Sequence, residues 1–99
     1  MDLFAKLRDS LKARFPTTPV LVRRCKVPGN LCGDCSRKAN HFLVRVASDK
    51  PLQVQLDTLV HEFAHAIAYL EWEETGQHGP LWALAHLDCY HVYEQIVSS

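Results

Sequence analysis

Residues 58–82 read TLVHEFAHAIAYLEWEETGQHGPLW, and the H-E-x-x-H within this stretch sets His61, Glu62 and His65 at a spacing suited to metal chemistry. Side chains four residues apart on an α-helix stand one above the other, with Cβ atoms about 5–6 Å apart. The two imidazoles can therefore share one ion. Zinc accepts imidazole nitrogen at about 2.0–2.1 Å, and its hydrolytic sites keep three protein ligands and one open position. Glu62 adjoins the first ligand but is rotated around the helix. Its carboxylate can reach a water in the open position without joining the ligand set. In that place Glu62 is the general base, taking a proton from the water and returning it to a leaving amine. The alternative is a surface helix on which two histidines flank a salt-bridged glutamate. The apolar run around the motif speaks against it, because three ionisable side chains without partners are costly in such surroundings.

A third ligand has to come from outside this helix. His78 is the preferred candidate, because Gly76 and Gly79 allow the chain to double back over the H-E-x-x-H turn. Glu74, Asp88 and Glu94 are candidates of carboxylate type, and His86 and His91 are further imidazoles. The longer pattern H-E-x-x-H-x-x-G-x-x-H is absent, since Ala68 and Glu71 stand where its glycine and last histidine belong. His86, Tyr90 and His91 are also candidate donors to a developing oxyanion. Asp57, one turn before His61, is a candidate to orient its ring.

The elements that position these residues follow from periodicity. Leu3, Phe4, Leu7, Leu11 and Phe15 recur at helical spacing and predict an amphipathic helix over 2–15, stopped by FPTTP. VLVRRCKV (20–27) predicts a strand, PGN a turn, and LCGDCSRKAN an irregular strand or knuckle. HFLVRVAS (41–48) alternates, with Phe42, Val44 and Val46 on one face. From Pro51 to about Glu74, Leu52, Leu56, Leu59, Val60, Phe63, Ile67 and Leu70 form a broad apolar stripe, which predicts the helix that carries the motif. A last helix starts at Pro80, and Leu81, Leu84, Leu87 and Val92 suggest its buried side. The expectation is one small α+β domain with an N-terminal helix, a short antiparallel sheet of two or three strands, and two closing helices.

HEFAHAIAY followed by HGPLW resembles the SprT-like zinc metallopeptidase domain, the group that includes Spartan and related bacterial and phage proteins. The specific motifs span roughly residues 40–85, with HFLVRVAS as the preceding strand; the earlier elements match only in their order. The resemblance implies a zincin-like fold, with His61, His65 and His78 as ligands to Zn2+ and Glu62 as the base. Trp82 then packs at the start of the last helix. It further implies a protein or peptide substrate.

Composition bounds the rest. Ninety-nine residues suit a single domain over 1–99, and 47% apolar content is ordinary for a globular chain. Charges interrupt the N-terminal MDLFAKLRDSLKARF, which excludes a signal peptide, and no run reaches the length of a membrane span. A cytoplasmic protein without a membrane partner is expected. All 11 Lys and Arg fall in residues 1–50, whereas seven of the 11 acids fall in the second half. A binding module that docks nucleic acid through the basic half, with Arg23 and Arg24 as contacts, is the competing function. Cys25, Cys32, Cys35 and Cys89 are expected as free thiols in a reducing compartment. A second metal on Cys25, Cys32, Cys35 and His41 is the alternative, although a structural site normally pairs two C-x2-C knuckles.

Overall fold

The computed structural model describes residues 2–69 and 78–98. Its elements are α1 (Leu3–Arg14), β1 (Val20–Cys25), β2 (Gly33–Arg37), β3 (Phe42–Ala47), α2 (Leu52–Ile67) and α3 (Pro80–Val97). This is a small α+β domain with three helices and one three-stranded sheet.

Helix α1 begins where the Asp2 carboxylate accepts the Phe4 N–H at 2.9 Å, satisfying a backbone donor that the helix leaves open. Its apolar stripe of Phe4, Leu7 and Leu11 is fully buried. Arg24 fastens this end to the rest of the fold. Its guanidinium donates to Asp2 Oδ2 at 2.6 Å and to Gln55 Oε1 at 2.9 Å, and lies 4.4 Å over the Phe4 ring. A side chain that the charge pattern offers to nucleic acid is thus a clamp between α1 and α2.

The sheet is mixed where an antiparallel one was expected. Strand β3 lies in the centre, antiparallel to β2 and parallel to β1, in the order β1-β3-β2. Residues 26–32 explain the difference. This connection is too long for a tight hairpin, and it carries β2 across two strand spacings, about 10 Å, which leaves the middle position for β3. Gly29 turns the connection with φ of 68°, a left-handed conformation that suits a residue without Cβ. Strand β3 alternates as predicted, with Phe42, Val44 and Val46 all buried.

Helix α2 packs across β2 and β3, α3 packs on α2, and α1 closes against both helices. Leu56, Leu59, Val60 and Phe63 of α2 are buried, but Leu52 is exposed. The helix ends at Ile67, short of the predicted Glu74, with the Ala68 N–H bonded to the Ala64 carbonyl. There the chain turns so that Tyr69 meets Phe42 of β3, with ring centroids 5.2 Å apart. Leu70, Glu71, Glu74 and Gly76 lie outside the described residues.

Helix α3 is rotated relative to expectation. Its buried positions are Ala85, Cys89, Val92 and Ile96, whereas Leu81, Leu84 and Leu87 are 48%, 63% and 50% exposed. The small side chains of Ala85 and Cys89 let α3 approach α2 closely, and Trp82 turns to the same side. No helix among the described residues is long and apolar enough to cross a membrane.

Candidate metal centre

His61, Glu62 and His65 occupy consecutive turns of α2, held in place by the fully buried Phe63 and Ala64 between them. His78 enters from the other side, two residues before α3, where Gly79 caps the helix and Pro80 takes its first position. The chain therefore brings together the His61–His65 pair named by spacing and His78, the preferred third ligand. His65 Nε2 lies 3.2 Å from His61 Nε2, and His78 Nε2 lies 3.3 Å from the same atom. One ring nitrogen from each residue falls within 4.8 Å of the other two.

The two short separations match a cation better than they match hydrogen bonds. Nitrogens held at 2.0–2.1 Å around a tetrahedral centre stand about 3.3 Å apart. A single imidazole nitrogen offers one N–H or one in-plane lone pair, so His61 Nε2 is poorly equipped to serve two such neighbours at once. The donor set, three imidazoles, is one that zinc accepts.

Burial keeps two of these rings neutral. It pushes the His65 imidazole down from 6.5 to about 4, with His61, His78 and His86 adding repulsion. His61 is lowered for the same leading reason, followed by His78 and His86. A neutral ring has its lone pair available, as ligation requires. The Glu62 carboxyl moves the other way, from 4.5 to about 7, through burial first and the nearby Asp34 second. Trp82 covers the flank of the cluster. Its ring centroid lies 4.7–5.6 Å from those of His61, His65 and His78, and its Nε1–H points to the His61 carbonyl at 3.4 Å.

Opposite α2, the wall is β2. Gly33, Asp34 and Cys35 line a pocket of about 230 Å³ with Glu62 and the three histidines. Gly33 allows the strand to sit this close, since a Cβ there would collide with the Arg45 carbonyl and the Thr58 methyl. Asp34 is ion-paired with Arg45. Burial pushes the Cys35 thiol up to about 12, with Glu62 and Asp34 contributing. Gly33 and Asp34 were not among the sequence candidates, and Cys35 was one only for a second metal. Their proximity to α2 follows from strand order, which no spacing in the chain reveals.

The remaining candidates fall elsewhere. Among the described residues, the cluster of His61, His65 and His78 is the one group of three or more His, Cys, Asp or Glu with ligand atoms in mutual reach. Asp88, His91 and Glu94 are exposed on α3. His86 approaches but does not join, with its ring centroid 6.3 Å from that of His61 and stacked on Trp82 at 4.8 Å. Tyr90 continues that stack at 6.5 Å from His86. Asp57 accepts from Gln53 Nε2 at 3.0 Å instead of orienting His61. Glu74 lies outside the described residues. Cys25, Cys32, Cys35 and His41 do not gather into a second cluster. Cys25 and Cys35 flank β3 from opposite sides, beside Ala47 and Val44, and Cys89 is on the buried side of α3.

No family model, no curated protein and no solved structure matches this chain.

Proposed function

We propose that the chain is a zinc-dependent endopeptidase of SprT-like type, with His61, His65 and His78 as ligands and Glu62 as general base. The observation that carries the proposal is the convergence of three imidazole nitrogens 3.2–3.3 Å apart along two edges, beside a carboxylate in an open-sided pocket. Zinc bound there supplies Lewis acidity toward a carbonyl and lowers the pKa of a water toward about 7.

The chain's own residues account for the rest. His61 and His65 stay neutral through burial and present their lone pairs. Glu62 holds a proton on its carboxylate between abstraction from water and delivery to the leaving amine. A carboxyl poised near neutral pH is suited to both halves of that transfer. Trp82 fixes the rings laterally and sheds water from one side of the cluster. Strand β2 is an edge strand and forms the opposite wall, so an extended peptide can pair along it and carry a carbonyl past Glu62.

The test combines metal content with cleavage. Wild type should purify with, or take up, about one equivalent of zinc, and His65→Ala and His78→Ala should lose it. Glu62→Gln should keep the zinc and lose cleavage of an unfolded protein substrate. A wild type that refuses zinc overturns the proposal. So does a zinc-loaded wild type that cuts no unfolded substrate.

A further inference from the structure

A second cleft, of about 230 Å³, opens at Tyr69, one helical turn beyond His65. Its floor is aromatic, formed by Tyr69 against Phe42. Its rim carries cations and hydroxyls. Arg37 and Lys38 come from the end of β2 and the turn that follows, and Thr17 and Thr18 come from the α1–β1 connection. The Lys38 N–H donates to the His41 carbonyl at 2.8 Å, which closes that turn and holds the rim in place.

Two features mark the cleft as a site for a negatively charged group. First, among the described residues no carboxylate lines it. Arg8, Arg24 and Arg45 are each paired with an aspartate, whereas Arg37 and Lys38 are in no ion pair among the described residues. Second, Arg37 is preorganised: its guanidinium lies 4.9 Å over the Tyr69 ring. Stacking of this kind holds the guanidinium plane and leaves its edge N–H groups to fork a carboxylate.

The cleft is also in register with the metal centre. Cys35 lines the centre and Arg37 lines the cleft. Two residues apart on a strand, they share a face and lie about 6.6 Å apart. A peptide extended along β2 with one bond at the centre would set a side chain about two residues away over Arg37. A volume of about 230 Å³ admits one side chain of Asp or Glu size.

We infer that this cleft is a specificity subsite for the carboxylate of an Asp or Glu side chain in a peptide lying along β2. The inference rests on the peptide substrate proposed above. Charge-assisted hydrogen bonds of this type are worth about ten-fold or more in affinity.

The test uses zinc-loaded Glu62→Gln protein and two labelled peptides, identical except that one carries Glu and the other Gln at alternate positions. Fluorescence anisotropy at low salt should show the Glu peptide binding about ten-fold more tightly. Arg37→Ala with Lys38→Ala should remove that preference, and Arg37→Glu with Lys38→Glu should turn it toward a Lys-containing peptide. Arg23→Ala, on the exposed far side of β1, should leave the preference intact. Equal binding of the two peptides overturns the inference, as does a preference that survives the double alanine change or disappears with Arg23→Ala. Arg37 and Lys38 are exposed, so circular dichroism should show all variants folded. Wild-type cleavage separates the two claims. A protein that selects the Glu peptide but cuts neither keeps the subsite and loses the peptidase proposal. One that binds and cuts both alike does the reverse.

Discussion

Replacing Glu62 by Gln in the metal-free protein should stabilise it at alkaline pH and leave it unchanged in acid. The Glu62 carboxyl is raised from 4.5 to about 7, chiefly by burial. Between those values the folded chain retains a proton that the unfolded chain has released. Stability therefore falls as pH rises through this window, and the whole cost is present above about pH 7. At 1.36 kcal/mol per pKa unit, the shift amounts to at most about 3 kcal/mol. Glu62 is only partly buried and its pocket opens to solvent, which screens the cost to about 1–2 kcal/mol. In a domain of this size 1 kcal/mol moves Tm by about 4–8 °C. Glu62→Gln should accordingly melt about 5–15 °C above wild type at pH 8 and together with it near pH 4.

His65 works in the opposite sense. Its imidazole is lowered from 6.5 to about 4, so the unfolded chain gains a proton that the folded chain refuses as pH falls through that window. Its contribution is complete above 6.5 and is lost toward pH 4. The carboxyl and imidazole slopes oppose each other between about pH 4.5 and 6.5, so wild type should be flatter there than Glu62→Gln, which keeps the slope of His65 and of His61, lowered in the same direction. Thermal melts by circular dichroism in chelator, from pH 4 to pH 8, read both effects. A Glu62→Gln advantage of the same size at every pH would falsify the idea that an ionised carboxylate is desolvated in this pocket. Added zinc should shrink the advantage, because a cation beside Glu62 stabilises its charged form.

Three more outcomes follow. His78 is exposed, so His78→Ala should change metal-free stability by no more than about 0.5 kcal/mol while removing most of the Tm rise that excess zinc gives wild type; equal zinc-induced rises in the two proteins would count against His78 as a ligand. Gly33→Ala forces a Cβ into the Arg45 carbonyl and the Thr58 methyl. Overpacking of this kind costs about 1–3 kcal/mol, and it should also weaken zinc-dependent cleavage by moving β2 off α2; denaturant titration and a cleavage assay check the two parts. Leu84→Glu should be tolerated within about 0.5 kcal/mol, and Leu7→Ala should cost about 2–5 kcal/mol, since the first side chain is 63% exposed and the second fully buried; urea unfolding that reverses this order would refute the rotation of α3.

Local periodicity made some parts of this molecule legible. The α1 stripe and the alternation of β3 each repeat with the period of one element, and they bury Phe4, Leu7, Leu11, Phe42, Val44 and Val46, with Leu3 and Phe15 buried in part. The His61–His65 pair was legible for the same reason, since four residues on a helix fix a separation. Helix α3 misled because two patterns overlap in it. Leu81, Leu84 and Leu87 repeat every three residues, but Trp82, Ala85, Cys89, Val92 and Ile96 keep the 3-4-3-4 spacing of a packed seam. The small members of that seam, Ala85 and Cys89, are what permit close approach. Strand β2 was barely legible. GDCSR has no apolar alternation, and its place beside α2 depends on β3 inserting between it and β1.

That division bears on how the centre is held. His61 and His65 are anchored by the core on either side of Phe63, and Gly33 and Cys35 by the pairing of β2 with β3. His78 alone lies outside any helix or strand and is exposed. Its ring is positioned by what packs on it, above all Trp82 at 4.7 Å. Trp82 in turn belongs to the seam that fixes the rotation of α3, so the third imidazole is aimed by helix packing and not by its own backbone. Burial of neutral His65 and of a proton-bearing Glu62 costs the fold stability at one pH or another, and an isolated cluster of this kind gives nothing back. A cation shared by α2 and the residue leading into α3 would reverse that balance, because binding to the folded state alone stabilises it. The same ion would then complete the centre and join the two elements whose packing aims it.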